Sequence, residues 1–284
     1  MKTMKLNNGV QLPMLGFGTY QVTDPEECKK SVLTAIRAGY RLIDTAVAYG
    51  NEEAVGAGIK AAIDEGLVTR EELFITTKMW FRSFETDDCR AAMEASLQKL
   101  GLTYIDMVLL HWPYGNVYVA WRVLEEYYEA GKIRVIGVSN MEADRFIDLI
   151  TFNKVKPALN QLETHLYCQR QQEKTWLQKY GIAHQAYAPL GQGRANEMFA
   201  EPAVKALAEK YGKTPAQVLL RFLIQCDVAE IPKSVHEKRI RENIDIFDFE
   251  LTADEVDTLK KLDKAAPMIG NPEDPAKVEF AMTW

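Results

Sequence analysis

At 284 residues the chain is longer than a usual single core but suits one closed α/β barrel. Hydrophobic residues make up 47% and charged residues 26%, an ordinary globular balance, and a net charge of −6 with no Lys/Arg cluster argues against nucleic-acid binding. Cys28, Cys89, Cys168 and Cys226 are scattered without a CxxC pair, which reads as reduced thiols of a cytoplasmic protein and not as a disulfide frame or zinc site. No apolar run reaches bilayer length and the start, MKTMKLNNGVQLP, has no apolar signal core, so no membrane attachment is expected.

In chain order, residues 4–12 alternate around Asn7-Asn8-Gly9, a hairpin signal. In a barrel this hairpin closes the bottom, away from any site. Short β-rich runs then alternate with amphipathic helical windows. The strand candidates are Leu15–Gly18, Leu42–Asp44, Phe74–Lys78, Ile105–His111, Val135–Ser139, Ala158–Glu163, Ala183–Ala188 and Val228–Ile231. Helices between them centre on Ser31, Val55, Met93, Leu124, Ile147 and Leu177, with Leu207 and Leu219 both before the last strand. Asn51 is placed to cap the second helix. A capped helix over Thr252–Leu262 follows, then a loose, proline-containing tail over residues 265–284. Eight β–α units with no Gly/Ser-rich linker predict one (β/α)8 TIM barrel spanning residues 1–284, with extra C-terminal helices.

The strand ends carry the chemistry. Asp44, Lys78 and His111 end consecutive strands, and Tyr49 lies five residues past Asp44. A free phenol, with a pKa of about 10, is a poor proton donor at neutral pH. A neighbouring ammonium is expected to lower that pKa, and Lys78 can be that cation, with Asp44 keeping it charged and aimed. His111 can hydrogen-bond the oxygen that Tyr49 protonates, which suits a carbonyl becoming an alcohol. Singly, Asp44–Lys78 also reads as a buried ion pair, His111 as a core histidine and Tyr49 as a loop anchor. Jointly, at the ends of consecutive strands, the catalytic reading is the stronger.

Such a reduction needs a hydride from a nicotinamide or flavin. Gly16-Phe17-Gly18 is not a dinucleotide fingerprint, since the third glycine is missing and no helix opens there. Ser139, Asn140 and Gln161 suit a carboxamide, and Tyr187 suits stacking on a nicotinamide. Residues 189–193, with Leu190 and Gly191, offer backbone N–H groups for a pyrophosphate. Lys233, Ser234 and Arg239 gather two cations and a hydroxyl near a helix start, which suits the 2′-phosphate of NADP.

Three motifs also resemble the aldo-keto reductases over nearly the full length. They are Gly39-Tyr40-Arg41-Leu42-Ile43-Asp44-Thr45-Ala46 with Glu52 and Val55-Gly56, then Lys132 to Asn140, then Ile231-Pro232-Lys233-Ser234 with Arg239, Glu242 and Asn243. The resemblance implies a (β/α)8 barrel binding NADPH at the carboxyl ends of its strands. It implies a catalytic tetrad of Asp44, Tyr49, Lys78 and His111, with Tyr49 as proton donor. It assigns Ser139, Asn140 and Gln161 to the carboxamide, Tyr187 to the stacking ring, and Lys233, Ser234, Val235 and Arg239 to the 2′-phosphate corner. Glu242 and Asn243 then lie by the adenine, with Gly18 and Thr19 also at the cofactor. Tyr20, Trp80 and Trp112, with Tyr49 and His111, match the aromatic wall of a substrate pocket, near the tail.

Met141 stands where an aromatic is usual and Leu166 where a proline is usual. The loop from Pro113 to Tyr118 is short, similar to small microbial members such as the 2,5-diketo-gluconate and methylglyoxal reductases, which implies a small polar carbonyl substrate. A monomer with no metal is expected. One alternative is an NADP(H)-binding sensor of the same fold with little turnover. Another, a metal or paired-carboxylate hydrolase, is disfavoured because His111, His165, His184 and His236 have no ligand spacing.

Overall fold

The computed structural model describes residues 2–283, so residues 1 and 284, the ends of the expected 1–284 barrel and 265–284 tail, lie outside the described residues. Strands β1 (Thr3–Lys5) and β2 (Gln11–Pro13) pair antiparallel with Met4 opposite Leu12. Their turn contains Gly9 at φ 89°, a left-handed conformation that glycine adopts without steric cost. Leu6 and Leu12 pack against Leu42, Phe74, Met107 and Val135 inside the barrel. Asn7 and Asn8 donate to the carbonyls of Pro157 (2.9 Å) and Arg134 (3.0 Å). The hairpin therefore plugs the amino-terminal end of the barrel, as the sequence indicates.

Eight parallel strands follow: β3 (Gly16–Gly18), β4 (Leu42–Asp44), β5 (Phe74–Met79), β6 (Ile105–Leu110), β7 (Ile133–Ser139), β8 (Leu159–Glu163), β9 (Ala183–Tyr187) and β10 (Ala229–Glu230). Each pairs with its neighbour in chain order. A parallel bridge between Leu15 and Glu230, with Glu230 N–H donating to Met14 O (2.8 Å) and Gly18 N–H to Pro232 O (3.1 Å), joins last to first. The last strand is one residue shorter at each end than the expected Val228–Ile231, although Ile231 N–H still donates to Ala186 O (3.1 Å).

Side chains alternate between two apolar layers. Inward residues such as Leu42, Phe74, Met107, Leu109 and Leu159 fill the barrel, while Ile43, Ile75, Val108 and Ile136 face the helices. Gly16 is required in this wall, since a Cβ there would sit 2.5 Å from the Leu42 side chain. The helices are α1 (Pro25–Ala38), α2 (Glu52–Asp64), α3 (Thr86–Leu100), α4 (Val117–Glu129), α5 (Ala143–Phe152), α6 (Gln171–Tyr180), α7 (Ala195–Ala200), α8 (Pro202–Tyr211), α9 (Pro215–Gln225), α10 (Glu237–Ile244), α11 (Ala253–Lys260) and α12 (Pro275–Ala281). Among the described residues no helix is long and apolar enough to cross a membrane.

Two local expectations are corrected. Asn51 stands at the N-cap of α2 but makes no side-chain cap; its amide donates to the carbonyls of Thr19 (2.9 Å) and Val22 (3.2 Å) and accepts from Thr45 Oγ1 (2.8 Å). Its hydrogen bonds are consumed in tying three loops together at the barrel mouth. The tail is not loose. Asp274 caps α12 by accepting from Ala276 N–H (3.0 Å), Tyr114 donates to Pro272 O (2.9 Å), and the Glu163 carboxylate accepts from the N–H groups of Met268 and Ile269. The short helix α7 has no counterpart in the sequence reading.

Candidate active site

Asp44 and Lys78 both point inward at the carboxyl ends of β4 and β5, neighbouring strands whose register sets Asp44 beside Thr76. Both side chains are fully buried. Lys78 Nζ makes three contacts: to Asp44 Oδ1, to Thr45 O (3.1 Å) and to Tyr49 OH (3.2 Å). Three acceptors around one nitrogen match the three donors of an ammonium. The other Asp44 oxygen accepts from Gln161 Nε2 (2.9 Å). Burial pushes the Asp44 carboxyl up and the Lys78 ammonium down, while their mutual attraction and hydrogen bond oppose both shifts. Removing either partner alone would strand a buried charge, a cost of about 3–5 kcal/mol.

Tyr49 ends the short 3-10 turn Val47–Tyr49 between β4 and α2. Its ring meets Tyr20 at 4.9 Å and His111 edge-on at 5.6 Å between centroids. Burial of the hydroxyl, then the Asp44 charge, pushes its pKa well above the ordinary value. This corrects the expected acidified phenol. The Asp44 charge answers that of Lys78, so their pair offers the phenolate little net positive field. Burial also holds the His111 pKa well below its usual value, with Lys78 adding to the effect. The ring is therefore neutral, and its Nδ1 is buried with no hydrogen-bond partner.

Trp80 and Trp112 flank His111 at 5.3 and 6.4 Å, Trp112 stacks on Tyr114 at 5.6 Å, and Tyr20 is 41% exposed at the rim. The tail reaches this wall through Lys277, whose Nζ lies 5.3 Å from the Trp112 ring centroid.

Just past the end of β7, Asn140 adopts φ 56°, a left-handed conformation that asparagine tolerates. Its amide donates to His111 O (3.1 Å) and Ser139 Oγ (3.2 Å) and accepts from Tyr187 OH (2.7 Å). Ser139 Oγ donates to Gln161 O (2.8 Å). Ser139, Asn140, Gln161 and Tyr187 thus form one connected group beside the Asp44–Lys78 pair. Thr19 is spent structurally, its N–H and Oγ1 both donating to Asp44 O at 3.0 Å. Gly18 allows β3 to approach β10, since a Cβ would lie 2.9 Å from Ile231 O.

Gly191 differs from expectation: its N–H is consumed by Ala188 O (2.8 Å), and the residue packs on Met198 and Met268. Leu190 beside it is half-buried. Lys233 and Arg239 are exposed and pair with no acid among the described residues, while Ser234 Oγ accepts from His236 N–H (3.1 Å) at the start of α10. Val235 and Glu242 are half-buried, Asn243 is buried in the same helix, and Glu242 lies 3.7 Å from Lys238.

A barrel with a buried lysine–aspartate pair, a phenol and an imidazole at the carboxyl ends of its strands has the layout of an enzyme. The model of the Aldo/keto reductase family matches residues 14–264. The chain belongs to that family, and its TIM barrel is an aldo-keto reductase barrel. Glyoxal reductase of Bacillus subtilis is 43% identical over 275 residues, covering 96% of this chain and 96% of its own. NAD(P)H-dependent D-xylose reductase I,II of Candida tropicalis is 38% identical over 299 residues, covering 92% of each chain. Among solved structures, a Bombyx mori aldo-keto reductase in complex with NADP has a TM-score of 0.90 at 36% identity, covering 98% of this chain and 96% of that one.

Proposed function

We propose that this oxidoreductase reduces aldehydes and ketones, in particular small polar carbonyls such as dicarbonyls and keto-sugars, to alcohols with NADPH. The observation that carries the reading is the contact of Lys78 Nζ with Asp44, Thr45 O and Tyr49 OH at the barrel mouth. When bound, the nicotinamide supplies the hydride that adds to the carbonyl carbon. Tyr49 gives its proton to the carbonyl oxygen, and the phenolate left behind keeps the hydrogen bond that Lys78 Nζ donates at 3.2 Å. His111, neutral, hydrogen-bonds the same oxygen. Asp44 holds Lys78 charged. Tyr20, Trp80 and Trp112 enclose the rest of the substrate.

The cofactor reading is supported by the NADP bound in the Bombyx mori relative and by two cations near the start of α10, Lys233 and Arg239, that pair with no acid among the described residues. Ser139, Asn140 and Gln161 take the carboxamide and Tyr187 stacks on the ring. Leu190 and Gly191 border the pyrophosphate, with Gly18 and Thr19 across the mouth. Ser234, Val235, Glu242 and Asn243 complete the adenosine phosphate corner. The names of the glyoxal and xylose reductase relatives support the substrate class.

A carbonyl panel followed at the nicotinamide absorbance, with NADPH and NADH side by side, tests the proposal. Reduction of glyoxal-type and sugar carbonyls is expected. Tight NADP retention without turnover on any carbonyl would indicate a sensor, and selectivity for bulky steroids alone would overturn the substrate class. Arg239→Ala should weaken NADPH binding about 10- to 100-fold, the scale of a lost charged hydrogen bond, and leave NADH nearly unchanged. Equal loss for both nucleotides in a fluorescence titration would refute the phosphate role.

A further inference from the structure

Gln185 lies on β9 two residues before Tyr187, on the same inward face, and is fully buried. Its Oε1 accepts from Gln161 Nε2 at 2.8 Å, while the same nitrogen donates to Asp44 Oδ2 at 2.9 Å. Both N–H bonds of the Gln161 amide are therefore directed inward. Its carbonyl oxygen accepts no hydrogen bond from the described residues and is not a buried orphan. Reversing the amide would set that oxygen against two acceptors, Asp44 Oδ2 and Gln185 Oε1. With Asp44 as sole partner, the Gln161 amide could turn about one N–H···O bond; the second contact fixes its plane.

We propose that Gln185 is a positioning residue that locks the amide of Gln161, so that Gln161 braces Asp44 with its nitrogen and presents only its carbonyl oxygen to the cofactor carboxamide. This rests on the NADPH reading above. A carboxamide N–H then donates to Gln161, and a nicotinamide analogue without that N–H loses the bond. Gln185 also carries a cost, since its own Nε2 is buried without a partner. A side chain kept only for packing would be better served by an apolar residue of the same volume.

The test compares NADP with its 3-acetylpyridine analogue, which has a methyl ketone in place of the carboxamide, in alcohol oxidation and in equilibrium binding. Wild-type protein should favour NADP by about tenfold, the scale of one neutral hydrogen bond. Gln185→Met should reduce that preference to about twofold or less, because the Gln161 carbonyl is no longer held in place. Gln185→Glu keeps an acceptor toward Gln161 and should keep the preference. An unchanged ratio in Gln185→Met, or a ratio lost in Gln185→Glu, overturns the proposal, as does a wild-type protein that binds both nucleotides equally. If the methionine variant does not fold, Gln185→Leu, which also lacks the acceptor, takes its place with the same expected loss. Failure of the wild-type protein to bind either nucleotide would instead refute the NADPH reading itself.

Discussion

Glu230 lies on β10 with both carboxylate oxygens buried and without a hydrogen-bond partner, and burial pushes its pKa well above the usual carboxylate value. It faces Tyr40, whose hydroxyl donates to Ile240 O (3.3 Å) and is itself pushed up, by burial first and the Glu230 charge second. The folded state thus keeps a proton that the unfolded chain releases near pH 4. The contribution of this group to stability is complete below about pH 4 and is lost as pH rises toward the folded value. Glu230→Gln should flatten the fall in stability above about pH 5 by up to about 1.4 kcal/mol per pH unit, measured by urea unfolding across a pH series. Parallel pH profiles for the two proteins would rule this out. Single residues were unevenly legible. The joint location of Asp44, Lys78 and His111 follows from their positions at strand ends, and that of Tyr49 from its place in the loop just past Asp44. The direction of the Tyr49 shift does not, because it depends on how completely the fold buries the hydroxyl. Gln185 was within reach of period-two counting back from Tyr187, but its meaning appears only when β8 and β9 bring two glutamines together.

Among the elements, strands with strong apolar runs agree with expectation to within about two residues, and the capping pair Thr252 and Glu255 forms the box that marks α11. Where reading failed, a polar residue had a stronger distant partner than its local one. Asn51 serves Thr19, Val22 and Thr45 in preference to its own helix end. The tail's order was partly visible, since Asp274 before Pro275 is a helix start, but its anchorage on Glu163 joins residues about a hundred positions apart in sequence. Helix α7 has only six residues and no periodic apolar stripe to reveal it. Left-handed backbone at Ala188 and Gln192, φ 49° and 44°, also has no signal in residues of those types.

At the scale of the whole molecule, closure of β10 on β3 brings Lys233 and Ser234, the proposed phosphate corner, to the same mouth as Asp44 and Lys78. We propose that the barrel and its tail form one cooperative unit, so that urea unfolding followed by tryptophan fluorescence and by circular dichroism should give coincident single transitions. Separate midpoints would contradict this. The proposed reduction requires a proton to leave Tyr49 as hydride arrives at the substrate. The direct measurement is a single-turnover reaction of enzyme-bound NADPH with glyoxal, alongside nucleotide titration, for wild type and Tyr49→Phe. The variant should bind NADPH as the wild type does and lose about 10²- to 10⁴-fold in rate, the usual scale of lost acid catalysis. A Tyr49→Phe protein that oxidises bound NADPH at the wild-type rate would contradict it.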